Sequence, residues 1–161
     1  MKIYFLRHGE AGDRETWKGD DNERPLTDDG IERMKREAKA ICNLDLDLDA
    51  IVTSPLVRAK QTAEIVAKAL DLKDKLVEDP DVGLDLDVKR LQGVLTKFPK
   101  AEGIMLVGHD PSMSETIGRL IGDARVILKK GGMACVEVRD PASGRGELAW
   151  LVPPKMLAPK T

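Results

Sequence analysis

The sequence predicts an α/β layer fold with a mostly parallel central sheet and an antiparallel hairpin at its C-terminal edge. Short apolar segments that favour strands alternate with longer segments whose apolar residues recur at helical spacing. This alternation is typical of an α/β layer fold with a mostly parallel sheet. The C-terminal part differs, because two strand-like segments there are joined by the turn sequence PASGRG.

Three apolar segments are the strongest strand predictions: residues 2–6, 50–54 and 103–109. They are short and rich in the β-branched, aromatic and aliphatic residues that buried strands contain. A further short apolar segment lies near Leu76–Val77. The closing hairpin is expected to pair two more strands, within residues 131–140 and 146–152.

Four helices are expected between these strands. They are predicted to start at Thr27, to span residues 54–70, to span residues 85–98 and to follow Asp110-Pro111. Ser54 and Asp110 are expected to cap their helices, because each precedes a proline that suits the first helical position. Residues 9–26 are polar and are expected to form a loop.

The composition indicates one globular domain that comprises residues 1–161. Hydrophobic residues make up 42% and charged residues 34% of the chain, and the net charge is −2. Without a basic field, neither nucleic acid nor an anionic membrane is expected as a partner. No apolar run approaches the ~18 residues of a membrane span, and no signal peptide is expected. Cys42 and Cys135 have no metal-binding spacing and are expected to be buried and reduced, so a cytoplasmic location is predicted.

Both histidines of the chain follow apolar strands. Arg7 and His8 end the first strand, Arg58 lies one turn beyond the second, and His109 ends the third. Ligands of parallel sheets bind outside the carboxyl ends of the strands, so these four side chains are expected to form a positive pocket for phosphate. Each residue also has an ordinary interpretation, as a solvated histidine at a strand end or a helix-surface arginine.

Four motifs in order resemble the histidine phosphatase superfamily, which has the phosphoglycerate-mutase-like fold. They are LRHGEA at 6–11, RPLTDDG at 24–30, SPLVRAKQTA at 54–63 and VGHDPSM at 107–113. The short spacing between them resembles the SixA-type phosphohistidine phosphatases. The resemblance implies a three-layer α/β/α sandwich that forms a single compact domain without a lid insertion.

The resemblance also implies the roles of the site residues. His8 would be the nucleophile that forms a phosphohistidine enzyme, and the carbonyl of Gly9 would hold its other ring nitrogen. Arg7, Arg58 and His109 would bind the phosphoryl oxygens. No metal and no cofactor are expected, since the arginines supply the positive charge.

The acid that protonates the leaving group stays open in the sequence. Glu10 follows the RHG motif directly, and the segment LVEDPDVGLDLD offers Glu78, Asp79, Asp81 and Asp85. This segment can equally be a solvated acidic loop, and Glu10 can equally balance Arg7. A phosphohistidine leaving group is basic, so a phosphatase acting on it needs a dedicated acid less than one acting on alkyl phosphates.

The expected function is therefore that of a phosphatase that removes phosphate from phosphohistidine on a protein. Its partner would be a histidine phosphotransfer domain or a phosphocarrier. One alternative is a phosphomonoesterase with broad specificity for small phosphate esters. An alternative of another class is a non-catalytic module that binds phosphate, which would have no use for the nucleophile His8.

Overall fold

The computed structural model describes residues 1–159 and contains a sheet of six strands. The strands are β1 (Lys2–Arg7), β2 (Ala50–Thr53), β3 (Leu76–Glu78), β4 (Gly103–Gly108), β5 (Met133–Glu137) and β6 (Glu147–Val152). Their order across the sheet is β3-β2-β4-β1-β5-β6. The first four are parallel, while β5 runs antiparallel to β1 and β6 runs antiparallel to β5. The mostly parallel sheet with an antiparallel C-terminal edge is thus confirmed.

Five helices cover the two faces of this sheet in the described part of the chain. They are α1 (Asp28–Cys42), α2 (Val57–Ala69), α3 (Val88–Leu95), α4 (Ser112–Leu120) and α5 (Pro154–Leu157). Strand β1 shows how the layers form, because its side chains alternate between two apolar clusters. Ile3 and Phe5 pack with α3 and α4, whereas Tyr4 and Leu6 pack with α1, α2 and α5. The three-layer α/β/α prediction is confirmed.

Two predicted helix boundaries are wrong for local reasons. The helix predicted over residues 85–98 is shorter, because the Asp87 side chain accepts a hydrogen bond from the Arg90 N–H and starts α3 at Val88. The helix predicted to start at Ser54 begins at Val57, after an extended Leu56. Ser54 Oγ accepts from the N–H of Leu56 and also contacts His109, so it caps a turn before the helix.

The start of α1 agrees with the sequence, whereas α4 begins at Ser112, one residue later than expected, with Pro111 at the N-cap instead of at the first helical position. Thr27 caps α1 by accepting from the N–H of Gly30. The Asp110 carboxylate accepts from the backbone N–H and the hydroxyl of Ser114, in the first turn of α4. Each side chain thereby satisfies a backbone N–H that the helix itself leaves free.

The strand register brings the ends of three strands to one edge of the sheet. Arg7 is paired with Gly108, and Thr53 is paired with Val107. The next residues along the three strands are His8, His109 and Ser54, so they emerge side by side. Neighbouring strands lie only about 4.8 Å apart, and the imidazole rings are accordingly close.

Both cysteines are free thiols. Cys135 is buried, as expected, but the prediction that Cys42 is buried is wrong, because its side chain is only partly covered. None of the helices within residues 1–159 is both long and apolar enough to cross a membrane.

Candidate active site

A cavity of about 670 Å³ opens at this edge of the sheet. Arg7, His8, Arg58 and His109 all line it, so the structure brings together the four residues that the sequence predicted to converge. The rings of His8 and His109 have their centroids 5.3 Å apart and are tilted by 55°. This arrangement removes the ordinary interpretation of each residue as an isolated surface group.

His8 is held in one orientation by the residue that follows it. Its Nδ1 lies 2.7 Å from the carbonyl oxygen of Gly9. A carbonyl only accepts, so Nδ1 carries the hydrogen and Nε2 keeps its lone pair. No group within residues 1–159 forms a hydrogen bond with that Nε2. His8 therefore presents an unprotonated nitrogen, as a nucleophile requires.

The environment of His8 keeps the ring neutral. Burial lowers its pKa to about 3, and the charges of Arg58 and Arg7 act in the same direction. Only 6% of the residue is exposed. A neutral imidazole at pH 7 retains the lone pair that attacks phosphorus.

Arg58 is directed by the loop before α1. Its Nη1 donates to the carbonyl oxygen of Asp21 at 2.7 Å, and its Nη2 lies 3.2 Å from the Asp21 carboxylate. That carboxylate also accepts from Nε of Arg24. The Asp21 carboxylate thus lies between the guanidinium groups of Arg24 and Arg58 at the cavity. The hydrogen bond from Arg24, together with the charges of Arg58 and Arg24, holds the pKa of the Asp21 carboxyl below its usual range.

Arg7 is held from the opposite side. Its Nη1 donates to the carbonyl oxygen of Leu128 at 3.0 Å and lies 3.7 Å from the Asp110 carboxylate. The N–H of Gly131 donates to the carbonyls of both Arg7 and His8. Gly131 has a φ of +77°, which only glycine adopts without strain. The segment 128–132 therefore fixes the end of β1.

His109 is anchored through Nε2, whereas His8 is held through Nδ1. Nε2 of His109 lies 2.7 Å from Oγ of Ser54. Burial, together with the charges of Arg58 and Arg7, lowers the pKa of His109 to about 4. Like His8, this imidazole is neutral at pH 7.

Three buried nitrogens of these residues have no hydrogen-bond partner in the described chain: Arg7 Nε, Arg58 Nε and His109 Nδ1. An unpaired buried polar group costs about 1–3 kcal/mol. An anion in the cavity would offer acceptors to such groups and balance the two guanidinium charges. The site is chemically suited to a phosphoryl group.

Gly9 orients His8 through its carbonyl, as the resemblance implied, and it also has a packing role that the sequence did not predict. It does not line the cavity, and its φ is not in the left-handed region. A Cβ at this position would lie 2.6 Å from Cγ of Met34, so the close packing of α1 excludes a side chain here. Its N–H donates to the Thr62 hydroxyl, which fixes the peptide whose carbonyl orients His8.

The carboxylates of the segment LVEDPDVGLDLD do not line the cavity, although Leu84 of the same segment does. Glu78 pairs with Lys60 at 2.7 Å, Asp79 with Lys97 at 2.6 Å and Asp81 with Arg90 at 3.7 Å. None of these carboxylates lines the cavity, so the structure gives no support to them as the acid, and Asp85 does not line it either.

Glu10 is the predicted acid candidate that does line the cavity. Its carboxylate is 3.2 Å from Nζ of Lys130 and about half of the side chain is exposed. Trp17, in the loop after β1, does not line the cavity, and its Nε1 donates to the carbonyl of Asp20.

Sequence reasoning did not assign several cavity residues: Asp13, Arg14, Asp21, Arg24, Leu84 and Lys130. Arg24 belongs to the RPLTDDG motif and was therefore within reach. Asp21 could be found only from the fold, since it lies 37 positions from its partner Arg58.

The fold and the site define an α/β phosphatase with a cationic, histidine-containing centre. The family model "histidine phosphatase superfamily (branch 1)" matches residues 3–83. An uncharacterised protein of Picosynechococcus is 36% identical over 99% of this chain and 100% of its own length. The chain belongs to the histidine phosphatase superfamily.

Within the family, the chain is similar to SixA. The phosphohistidine phosphatase SixA of Escherichia coli is 24% identical over 96% of this chain and 94% of its own. A structure of the protein histidine phosphatase SixA with tungstate has a TM-score of 0.86 at 24% identity, covering 98% and 99% of the two chains. The α-ribazole phosphatase of Shigella flexneri has a TM-score of 0.74 at 20% identity, covering 96% and 97%.

Proposed function

We propose that this SixA-like phosphatase removes the phosphoryl group from phosphohistidine on a cytoplasmic protein, through a covalent intermediate on His8. The observation that carries the proposal is the hydrogen bond from His8 Nδ1 to the Gly9 carbonyl, which leaves Nε2 free beside Arg7, Arg58 and His109. A module that only binds phosphate would need the cations but not this nucleophile.

The reaction proceeds in two displacements. Nε2 of His8 attacks phosphorus, the new N–P bond forms, and the N–P bond of the substrate breaks with its electron pair on the leaving imidazole. Water then attacks phosphorus, the bond to Nε2 breaks, and inorganic phosphate leaves. Arg7 and Arg58 stabilise the charge on the oxygens in both steps.

The positions of the acidic side chains support a phosphohistidine substrate. The carboxylates of residues 78–81 are paired away from the cavity, and Glu10 is paired with Lys130 at its exposed rim. An alkoxide would need a positioned acid, whereas an imidazole nitrogen is basic enough to take its proton from water. The arrangement of acids therefore favours cleavage of a P–N bond.

Apolar side chains beside the cavity support a protein substrate. Leu84 lines the cavity and is 50% exposed. Ile127 is 77% exposed and lines a neighbouring groove that shares Arg7 and Asp110 with the cavity. A protein that presents phosphohistidine to His8 would cover both side chains. A single domain without a lid insertion leaves room for such a partner, and neither nucleic acid nor a membrane is part of this proposal.

The second candidate is a phosphomonoesterase that acts on small metabolites. The volume of the cavity favours it, because about 670 Å³ is enough for a whole small ligand. The relative named α-ribazole phosphatase shares the fold. This candidate predicts a clear preference for one phosphate ester over phosphohistidine.

The deciding experiment compares the two substrate classes at equal concentrations. Phosphate release is measured with a phosphorylated histidine phosphotransfer domain, a phosphohistidine phosphocarrier and a panel of sugar and nucleoside phosphates. We expect kcat/KM to be highest for a phosphohistidine protein. A higher kcat/KM for any small ester would replace the proposal with the second candidate.

Ile127→Asp tests the protein partner directly. Burying an aspartate against an apolar partner is costly, so kcat/KM on the phosphoprotein should fall on the order of 10-fold. Activity on a small phosphoramidate should stay unchanged, because Ile127 does not line the cavity. Met156→Asp is the matched control, since Met156 is 70% exposed and also lies outside the cavity lining. Equal effects on both substrates would contradict a protein that docks here.

Inhibitors test the chemistry of the site. Vanadate and tungstate resemble the phosphoryl group during its transfer, so they should inhibit the enzyme at or below millimolar concentration. EDTA should leave turnover unchanged, because the guanidinium groups supply the positive charge. A loss in EDTA that magnesium restores would contradict this account.

A further inference from the structure

His109 and Ser54 form a buried hydrogen-bonded pair. The position of the hydrogen atoms in this pair determines whether His109 donates or accepts a hydrogen bond in the cavity. His109 Nε2 lies 2.7 Å from Ser54 Oγ, and the two residues are 2% and 0% exposed. A neutral imidazole has one N–H and one lone pair. The serine hydroxyl can serve either as the donor or as the acceptor in this bond.

The surroundings of Ser54 distinguish the two possibilities. Its Oγ accepts a hydrogen bond from the N–H of Leu56 at 3.2 Å. Apart from His109, no residue in the range 1–159 offers an acceptor to its hydroxyl hydrogen. If Nε2 of His109 carried the hydrogen, the buried serine hydrogen would be unpaired.

The other ring nitrogen completes the comparison. Nδ1 of His109 is buried and has no partner in the described residues. With the hydrogen on Nε2, both the serine hydrogen and the Nδ1 lone pair would be unsatisfied. With the hydrogen on Nδ1, the serine donates to Nε2, and the Nδ1–H is the one group of the pair left without a partner. His109 lines the phosphoryl cavity, so a bound phosphoryl group can accept from it. Each unsatisfied buried group is costly, so the second arrangement is favoured.

We propose that Ser54 is a positioning residue that fixes His109 as the Nδ1–H tautomer, so that His109 donates a hydrogen bond to the bound phosphoryl group. The proposal deepens the proposed function and rests on it for the identity of the ligand. The opposite tautomer would present a lone pair to the phosphoryl oxygens and repel them. A serine at the end of β2 thereby controls a histidine at the end of β4.

The tautomer can be measured directly, because the chain contains only two histidines. In untagged ¹⁵N-labelled protein, two imidazoles contribute, and His8→Asn leaves the signals of His109 alone. We expect an unprotonated Nε2 and a protonated Nδ1 in wild type at pH 7, with and without bound tungstate. A protonated Nε2 in either state would overturn the proposal, whatever the activity on phosphohistidine proves to be.

Ser54→Ala should release the tautomer. The Nε2 and Nδ1 shifts should move towards an average, and kcat/KM should fall on the order of 10- to 100-fold, as when a group that orients a site residue is lost. Tungstate should inhibit this variant less strongly by a similar factor. An unchanged tautomer in Ser54→Ala would contradict the role of the serine.

Ser112→Ala provides the matched control. Ser112 is also a buried serine bonded to His109, but its hydroxyl donates to the backbone carbonyl instead of the ring. Its loss should leave the tautomer and tungstate inhibition as in wild type. Equal shifts in both serine variants would show a general disturbance of His109 and would overturn the specific role of Ser54.

Discussion

The segments that follow β1 and β4 each present an imidazole to the same cavity, but they hold it with different chemical groups. His8 is held by a backbone carbonyl, which can only accept a hydrogen bond. His109 is held by a serine hydroxyl, which can donate one. The carbonyl leaves His8 with an unprotonated Nε2, whereas the hydroxyl leaves His109 with a protonated Nδ1. The two histidines occupy the same position at a strand end, and the different partners of their rings suit His8 to its proposed role as nucleophile and His109 to its proposed role as donor.

The largest expected effect comes from His8→Asn. The amide cannot form the covalent intermediate, so turnover should fall by at least on the order of 10⁴-fold. Labelled phosphate transferred from the substrate and trapped by an alkaline quench should also be absent from this variant. Residual labelling of His8→Asn would assign the nucleophile to another residue and break the comparison.

His109→Asn should be less damaging. It removes one donor to the phosphoryl oxygens while the nucleophile remains, so we expect a loss in kcat on the order of 10²–10³-fold. Labelled enzyme should still accumulate in the alkaline quench, because formation of the bond to Nε2 of His8 does not need His109. If this variant fails to label while its fold is intact, the two histidines act as one unit.

Much of this site follows from the sequence for a simple reason. Strand ends are local features, and parallel strands bring their carboxyl ends to one edge. Arg7, His8 and His109 could therefore be predicted to meet once three strands were recognised. Arg58 needed one more local feature, the helix that follows β2.

The partners of these residues could not be predicted from local patterns. Asp21 and Leu128 contact Arg58 and Arg7 from loops far away in the sequence. Ser54 looked like a helix cap because serine before proline favours that role, but its hydroxyl is taken up by the histidine of another strand. The side chains of residues 78–81 turn to surface lysines and an arginine, a choice that depends on where α2 and α3 pack.

The two imidazole rings share one property, which is that both should make the stability of the protein depend on pH. Burial lowers the pKa of His8 to about 3 and that of His109 to about 4, below the ordinary value of 6.5. The unfolded chain therefore binds more protons than the folded one as the pH falls below 6.5. The free energy of unfolding should decrease from pH 6.5 towards pH 4, on the order of a few kcal/mol.

Glu37 acts in the opposite direction and has to be removed to isolate this effect. It is 1% exposed, and burial raises its pKa to about 8. Its folded form holds a proton that the unfolded chain loses above pH 4.5, so its contribution to stability decreases as the pH rises to 8. Urea unfolding of Glu37→Gln should show stability that rises steadily from pH 4 to 6.5 and then levels. A flat profile in that variant would mean that the folded imidazoles titrate normally.

The smallest expected effect is that of Asp79→Asn, which tests whether the two imidazoles act without an acid from the segment after β3. Asp79 pairs with Lys97 and accepts from the N–H of Asp81, away from the cavity. The amide keeps the acceptor for that N–H and loses only an ion pair with a half-exposed lysine, so stability should change little. On a phosphohistidine protein, kcat should stay within about 2-fold of wild type, well short of the 10²-fold or larger losses typical of acid–base residues. A larger loss that appears with alkyl phosphates and vanishes with phosphohistidine would make Asp79 an acid for esters. The two histidines would then suffice for one class of substrate and need a third residue for the other.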